Sequence, residues 1–153
     1  MFRKAVYEDC EAVYELICGM EGRRLPFERF AGIFKSQLDE PERCCCLVCE
    51  LEGRVCAVLN LRFEEQLHHA ARIAEVMELA VAEPYRRQGL GAALLERACG
   101  LARERGCGQI ELACNRLRRD AHRFYLREGL RDFHLKFSKP LYGEAPAENR
   151  LGL

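Results

Sequence analysis

The sequence lacks a long apolar run, an excess of charge of either sign, internal repeats and low-complexity segments. No window approaches the roughly 18 uninterrupted apolar residues of a membrane-spanning helix, so we expect no membrane partner. Lysine plus arginine and aspartate plus glutamate number 24 each among 153 residues. The zero net charge argues against broad capture of nucleic acid. The first residues carry Glu8 and Asp9 instead of the apolar stretch of an export signal, which favours a cytoplasmic location.

Ten cysteines are the compositional exception, but their context does not favour disulfides. Cys44, Cys45 and Cys46 are consecutive within an apolar run, where alternate strand side chains point apart. Cys46 and Cys49 form a C-x-x-C, yet no second pair with the spacing of zinc ligands accompanies it. We therefore expect buried thiols that behave as small apolar side chains, and no metal site.

The periodicity of apolar residues and the turn residues predict one α/β (α+β) domain with a mixed sheet. In chain order the predicted elements are a strand over 2–6, helices over 9–20 and 27–38, strands over 44–51, 54–63 and 72–81, a helix over 89–105, a strand over 109–114, a helix over 120–128 and a strand over 130–137. No linker is long enough to separate domains. We expect the domain to span 1–141 and 142–153 to form a loose tail.

The sharpest local feature is a basic, glycine-containing turn between a strand that ends at Val81 and a long helix. Glycines at Gly89 and Gly91 let the backbone approach a ligand, and free amides at a helix N-terminus bind anions. Arg86 and Arg87 add charge for more than one phosphate. The turn has neither the Lys-Ser/Thr of a P-loop nor the third glycine of a dinucleotide fold. A diphosphate site is thus indicated, and a simple glycine-capped turn remains the alternative.

Three segments resemble the GNAT acetyltransferase superfamily in order and spacing. They are Leu79-Ala80-Val81, Arg86-x-x-Gly89-x-Gly91, and Ala121-His122-x-Phe124-Tyr125-x-x-x-Gly129. The resemblance implies the GNAT fold, a mixed twisted sheet with helices on both faces, and acetyl-CoA as the co-substrate. The residues implied to hold that co-substrate are Leu79, Ala80, Val81, Arg86, Arg87, Gln88, Gly89, Leu90, Gly91, Ala92, Asn115 and Tyr125.

A narrower resemblance, over residues 5–141, is to the aminoalkylphosphonate N-acetyltransferases of bacterial phosphonate metabolism. It is carried by the residues 12–18, Leu67-His68-His69, Glu75 to Leu79, and above all Asp120 to Gly129. It implies small acceptors such as aminomethyl-, 1-aminoethyl- and 2-aminoethylphosphonate. Two departures stand out: the Arg86 to Gly91 loop is general to the superfamily, and Leu130 replaces an aromatic residue, which we interpret as a change in packing.

The resemblance implies direct attack of a neutral amine on the thioester, with Glu78 as general base and Tyr125 as general acid. Tyr125 has an alternative role as a core tyrosine beside Phe124. Glu75 competes with Glu78 for the role of base. Because strand side chains alternate, only a bulge between the two glutamates would let both face one site.

Other polar residues are candidates for acceptor binding. The adjacent His68 and His69 can bind an anionic acceptor group, relay a proton or lie unused in a loop. Positive donors for a phosphonate are available at His122, Arg123, His134 and Lys136, although Arg123 suits a solvated helix face equally well. Asn115 is either a pantetheine ligand or a turn residue.

The sequence leaves open a requirement for a divalent metal, and also a homodimer. It also leaves three rival functions: acetylation of an amino acid, polyamine, aminoglycoside or peptide N-terminus; a non-catalytic acetyl-CoA-binding module; and a cysteine-based metal or redox protein.

Overall fold

The computed structural model describes residues 1–143, so all but the first two residues of the predicted tail lie outside it. The described chain forms two compact units, Met1–Leu112 and a second that begins at Ala113. The elements of the first unit are β1 (Phe2–Lys4), α1 (Cys10–Glu21), α2 (Phe27–Leu38), β2 (Cys44–Leu51), β3 (Arg54–Gln66), β4 (Ala71–Val81), α3 (Leu90–Glu104) and β5 (Gln109–Leu112). The second unit contains α4 (Arg119–Arg127). None of the helices in the described part is long and apolar enough to cross a membrane.

The first unit is built on a five-stranded sheet whose spatial order equals its chain order, β1-β2-β3-β4-β5. Neighbours from β1 to β4 are antiparallel, and β5 runs parallel to β4. A parallel neighbour requires a crossover connection, which α3 provides between β4 and β5. The predicted mixed sheet is confirmed.

Helices cover both faces of this sheet. On one face α1 and α2 pack against alternate strand residues, among them Cys46, Val48, Val58 and Ala80. The strand neighbours of Val58 point to the opposite face and are fully buried there, and α3 packs against β2, β3 and β4. In α3 the fully buried side chains of Leu94 and Ala98 share one helical face.

A partly buried ion pair holds the chain at the start of α1. Asp9, predicted to cap this helix, stands at its N-cap but makes no side-chain capping bond. Its carboxylate instead accepts two hydrogen bonds from the Arg3 guanidinium, at 2.7 and 2.9 Å, and one from the Val6 amide at 2.8 Å. Arg3 also donates to Glu50 on β2. The network therefore ties β1, β2 and the start of α1 together.

Replacing Asp9 with asparagine is expected to destabilise the protein by about 2 kcal/mol, less than for a fully buried pair because Arg3 is partly exposed. The Arg3 hydrogen bonds hold the pKa of the Asp9 carboxyl below its ordinary value of 3.8. Its stabilisation is present above that value and is lost as the pH falls through the depressed pKa. Urea unfolding of wild type and variant at pH 7 and pH 3 measures both effects. An equal difference at the two pH values would contradict the ion-pair explanation.

All ten cysteines are free thiols, as predicted. Five of them, Cys18, Cys45, Cys46, Cys49 and Cys56, are buried. Burial raises the pKa of Cys46 to about 12 and that of Cys56 to about 11, so these thiols stay protonated and unreactive near neutrality. Within residues 1–143 no group of His, Cys, Asp and Glu has the arrangement of a metal site.

The strand β3 is longer than predicted. Residues 64–66, expected to belong to a polar link, extend the strand to Gln66 and leave a short turn over residues 67–70. Charged side chains stabilise this solvent-facing extension: Arg62 lies 3.3 Å from Glu64, and Arg72 on β4 lies 3.8 Å from Glu65. One charge pair within β3 and one across to β4 thus replace the apolar alternation on which the prediction relied.

The predicted strand over 130–137 is wrong, because the structure has no helix or strand in residues 128–143. Phe133, Leu135 and Phe137 alternate as in a strand, but they are 71, 78 and 87 % exposed. Alternation is a property of the chain alone, whereas a strand needs a partner to accept its backbone hydrogen bonds. The described residues supply no such partner to this segment.

Candidate active site

The carboxyl-terminal half of β4 has one unpaired edge in the first unit. The strand β5 pairs only with Ile73–Val76, so residues 77–81 have no strand on that side within Met1–Leu112. The Ala82 amide donates to Cys56 on β3. Because an antiparallel strand alternates its bonding direction, the peptide groups of Leu79 and Val81 point away from β3. The amide and carbonyl of Leu79 and the amide of Val81 are therefore available to bind an extended, amide-containing ligand.

The turn after β4 adds an anion site. The first helical hydrogen bond of α3 runs from the Ala93 amide to the Gly89 carbonyl, which leaves the preceding amides of residues 89–92 without helical partners. No side chain caps this end, and its first turn has no acidic residue. Arg87 and Gly89 both have positive φ, 62° and 79°. Consecutive amides in such a turn point into one concavity, which is the backbone arrangement that binds phosphate.

The two arginines of the loop occupy different positions. Arg86 Nε donates to the Val81 carbonyl at 3.0 Å, so its guanidinium group is anchored beside the free edge of β4. For Arg87 the structure shows no hydrogen bond or ion pair with any described residue, and the side chain is exposed. Gln88 closes the turn by donating to the Pro84 carbonyl at 3.2 Å. The donor set fits a diphosphate followed by an extended arm.

Glu75 and Glu78 share a face of β4 because of a β-bulge. Asn60 on β3 pairs with Glu78, whereas the next residue, Leu61, pairs with Val76. Met77 is therefore the extra residue, and it shifts the alternation by one position. Glu75 and Glu78 consequently meet Arg62 and Asn60, which lie two residues apart on β3. The condition that the sequence set for both glutamates to face one site is thus met.

The two glutamates nevertheless differ in their partners. Glu75 forms an ion pair with Arg62 at 2.9 Å. Glu78 accepts a hydrogen bond of 3.0 Å from the Asn60 side-chain amide, which also donates to Gln37 of α2 at 2.9 Å. Burial raises the pKa of the Glu78 carboxyl above its ordinary value of 4.5, although the Asn60 bond opposes the shift. Glu78 is thus a carboxylate with a raised pKa and no paired cation among the described residues.

Sequence reasoning missed Asn60 and Gln37. The signal for Asn60 is a polar residue inside the otherwise apolar run from Val55 to Leu61. Gln37 had no comparable signal, because only the packing of α2 on the sheet brings it near a strand residue 23 positions away.

The histidines lie at the opposite end of the hairpin from Glu78. His68 and His69 occupy the turn between β3 and β4, and His69 contacts Gln66 at 2.7 Å and Gln109 at 3.4 Å. Seven strand residues, 71–77, lie between this turn and Glu78, which corresponds to roughly 25 Å. The structure does not bring these residues together, and their part in acceptor binding stays a prediction.

In the second unit, Tyr125 lies on α4 and is half-buried, with its ring edge-on to Phe124. Burial, and secondarily the Cys114 thiol, raise the pKa of its phenol above 10. Asn115 accepts a hydrogen bond from the Leu117 amide at 2.8 Å, which is a turn contact. Its part in cofactor binding stays a prediction.

The residues of the second unit that were predicted to bind a phosphonate either contact other protein groups or are exposed. His122 Nε2 contacts the Asn115 carbonyl at 2.7 Å, and Arg123 pairs with Asp120. His134 and Lys136 are exposed in the segment without helix or strand.

Comparisons with known proteins agree with this geometry. The family model described as the acetyltransferase (GNAT) family matches residues 6–130. The aminoalkylphosphonate N-acetyltransferase of Salmonella typhimurium strain LT2 is 40% identical over 139 residues, which cover 91% of this chain and 90% of the relative.

Two solved structures show the same fold. A transcriptional regulator from Bacillus halodurans C-125 has a TM-score of 0.84 at 24% identity, over 92% of this chain and 99% of its own. A putative acetyltransferase from Agrobacterium tumefaciens strain C58 has a TM-score of 0.81 at 21% identity, with the same coverage of the two chains. The predicted fold is confirmed, and the chain belongs to the GNAT family of acetyltransferases.

Proposed function

We propose that this N-acetyltransferase transfers the acetyl group of acetyl-CoA to the primary amine of a small aminoalkylphosphonate. The observation that carries the choice of acceptor is the 40% identity, over nine-tenths of both chains, to a relative with that named activity. Acceptors of other classes, such as amino acids, polyamines, aminoglycosides or peptide N-termini, are the alternatives.

The free edge of β4 and the turn before α3 are the proposed cofactor site. Unpaired amides at residues 89–92, with Arg86 and Arg87, suit the pyrophosphate of CoA. The peptide groups of Leu79 and the amide of Val81, which point away from β3, suit the amide-containing pantetheine arm. When bound, acetyl-CoA supplies a thioester carbonyl that backbone amides at this edge can polarise.

Two side chains handle protons in the proposed reaction. An ammonium group cannot attack a carbonyl, so the amine must first lose a proton, and Glu78 accepts it directly or through water. Its raised pKa makes it a better base than an exposed carboxylate. Glu75 is less suited because Arg62 neutralises it. The phenol of Tyr125 donates a proton to the departing sulfur, and its raised pKa keeps that proton in place near neutrality.

Thiol release from acetyl-CoA tests the proposed acceptor. Aminomethyl-, 1-aminoethyl- and 2-aminoethylphosphonate should each exceed the carboxylate of the same length, namely glycine, alanine and β-alanine, in kcat/KM. A polyamine, an aminoglycoside and a peptide complete the panel, and a chelator arm tests for a divalent metal. Preference for another amine would overturn the acceptor alone. Binding of acetyl-CoA without turnover of any amine would overturn catalysis.

Gly89 and Gly100 lie at the start and in the middle of α3 and provide a matched pair of substitutions. Gly89→Ala puts a Cβ on a residue with φ of 79°, which costs about 1 kcal/mol of stability and distorts the anion turn. We expect the KM for acetyl-CoA to rise about tenfold, the equivalent of one lost charged hydrogen bond. Gly100→Ala meets open space and should stabilise the helix by up to about 1 kcal/mol without changing KM. Equal KM values for both variants would exclude the turn from cofactor binding.

A further inference from the structure

Asn60 is a costly residue at its position. It is half-buried on the face of β3 that α1 and α2 cover, next to the fully buried Val58, and its Oδ1 atom is buried. A buried amide lowers stability unless its donors and acceptor are paired. The hydrogen bonds of Asn60 are what its side chain offers at this position that an apolar side chain would not.

The amide nitrogen of Asn60 is fully hydrogen-bonded, whereas its oxygen is not. The nitrogen Nδ2 lies 3.0 Å from Glu78 Oε2 and 2.9 Å from Gln37 Oε1, which engages both of its hydrogens. The oxygen Oδ1 is buried and has no hydrogen-bond partner among residues 1–143. Reversing the amide would place Oδ1 against two acceptor oxygens, so the network fixes the orientation. In this orientation Asn60 directs both amide hydrogens at acceptors, while Oδ1 stays unpaired.

The other charged and titratable groups around Glu78 do not replace this contact. Arg62 on β3 acts on Glu78 only through its field and is paired with Glu75. Glu21 at the end of α1 and the Glu75 carboxylate on β4 carry the same sign as Glu78, and the Cys46 thiol on β2 is neutral. Asn60 therefore provides the hydrogen bond that Glu78 receives from the described side chains.

We infer that Asn60 is a positioning residue for Glu78: its amide favours the ionised carboxylate and fixes its orientation, while Gln37 from α2 braces the other amide hydrogen without touching Glu78. This inference rests on the proposed function, in which Glu78 is the general base. A hydrogen-bond donor to an anion stabilises the charged form and disfavours protonation. Without Asn60, only the field of Arg62 opposes burial and the Glu21 charge, so the Glu78 carboxyl retains its proton to higher pH.

The test combines a direct titration with kinetics. The carboxyl signal of Glu78, assigned by its loss in Glu78→Gln, is followed against pH by NMR of ¹³C-labelled glutamate. The variant Asn60→Leu has nearly the same shape but no donor, and Asn60→Ala, which also lacks a donor, serves if the first does not fold. Gln37→Leu is the control, because it removes the brace while leaving the Asn60–Glu78 bond.

In Asn60→Leu we expect the Glu78 titration and the acid limb of kcat to move together to higher pH. At the pH where wild type is half-maximal, kcat should fall about tenfold, as for loss of one charged hydrogen bond, and it should recover at higher pH. Gln37→Leu should leave the titration nearly unchanged. A kcat that falls equally at every pH, with an unchanged titration, would show that Asn60 only supports packing and would overturn the inference. If the Glu78 titration shifted but the pH profile of kcat did not, the effect of Asn60 on Glu78 would stand. Glu78 would then not be the general base.

Discussion

Glu78→Gln is expected to lower kcat for the preferred amine by about 10²–10⁴, the range for loss of a general base, with little change in the KM for acetyl-CoA. Glutamine keeps the shape of the side chain and can still bond Asn60, but it cannot take a proton from the amine. Glu65→Gln, at an exposed position of β3, is the control and should retain activity. Glu75→Gln should cost less than Glu78→Gln, since Glu75 is held by Arg62. The reverse order would transfer the role of base to Glu75.

Glu78→Gln is expected to raise the stability of the protein while it lowers the activity. Burial raises the folded-state pKa of Glu78 above its unfolded value, so the folded protein binds the extra proton in the window between them. The free energy of unfolding therefore falls as pH rises through that window, and the ionised carboxylate lowers stability above it. Glu78→Gln should melt at a higher temperature than wild type at neutral pH, and the difference should shrink in acid. A gain in stability at the expense of activity is typical of functional sites.

Local patterns in the sequence predicted most helices and strands, but they did not predict where the register between two strands shifts. Helical spacing predicted α1 to α4 to within a few residues of their bounds, because a helix that buries one face carries apolar residues three or four positions apart. The bulge at Met77 has no such signal, because it exists only in the register between β3 and β4. Nothing in one strand reveals which of its residues lacks a partner. From the sequence we could say only that Glu75 and Glu78 would share a face if a bulge lay between them. The structure shows that bulge.

Contacts between distant residues were equally invisible. The loop before α3 was predicted from its glycines, yet Arg87, a residue with a side chain, also takes positive φ there. The link from Gln37 through Asn60 to Glu78 joins a helix and two strands, and it depends on how α2 packs. The segment 130–137 shows the opposite error. Its alternation was clear, but a strand needs a partner that alternation does not specify.

Tyr125→Phe is expected to lower kcat by about 10² or more, which is the lower part of the range for a general acid. The substitution removes one hydroxyl and keeps the ring that packs on Phe124, so the fold should be retained. Tyr142→Phe, a fully exposed position in the same unit, is the control and should leave kcat unchanged. The KM for acetyl-CoA should change little, because in the proposed reaction the hydroxyl acts on the departing sulfur and not on the bound thioester.

The pH dependence separates an acid from a packing residue. Since burial raises the pKa of the Tyr125 phenol above 10, wild type should keep its activity to high pH and lose it as the phenol ionises. That basic limb should be absent from the residual activity of Tyr125→Phe. Rates with acetyl-CoA analogues that release a more acidic thiol offer a second measurement, because such a thiolate leaves without a proton. The variant should be least impaired with those donors. Equal impairment with every donor, and a basic limb that persists, would show that another group protonates the sulfur.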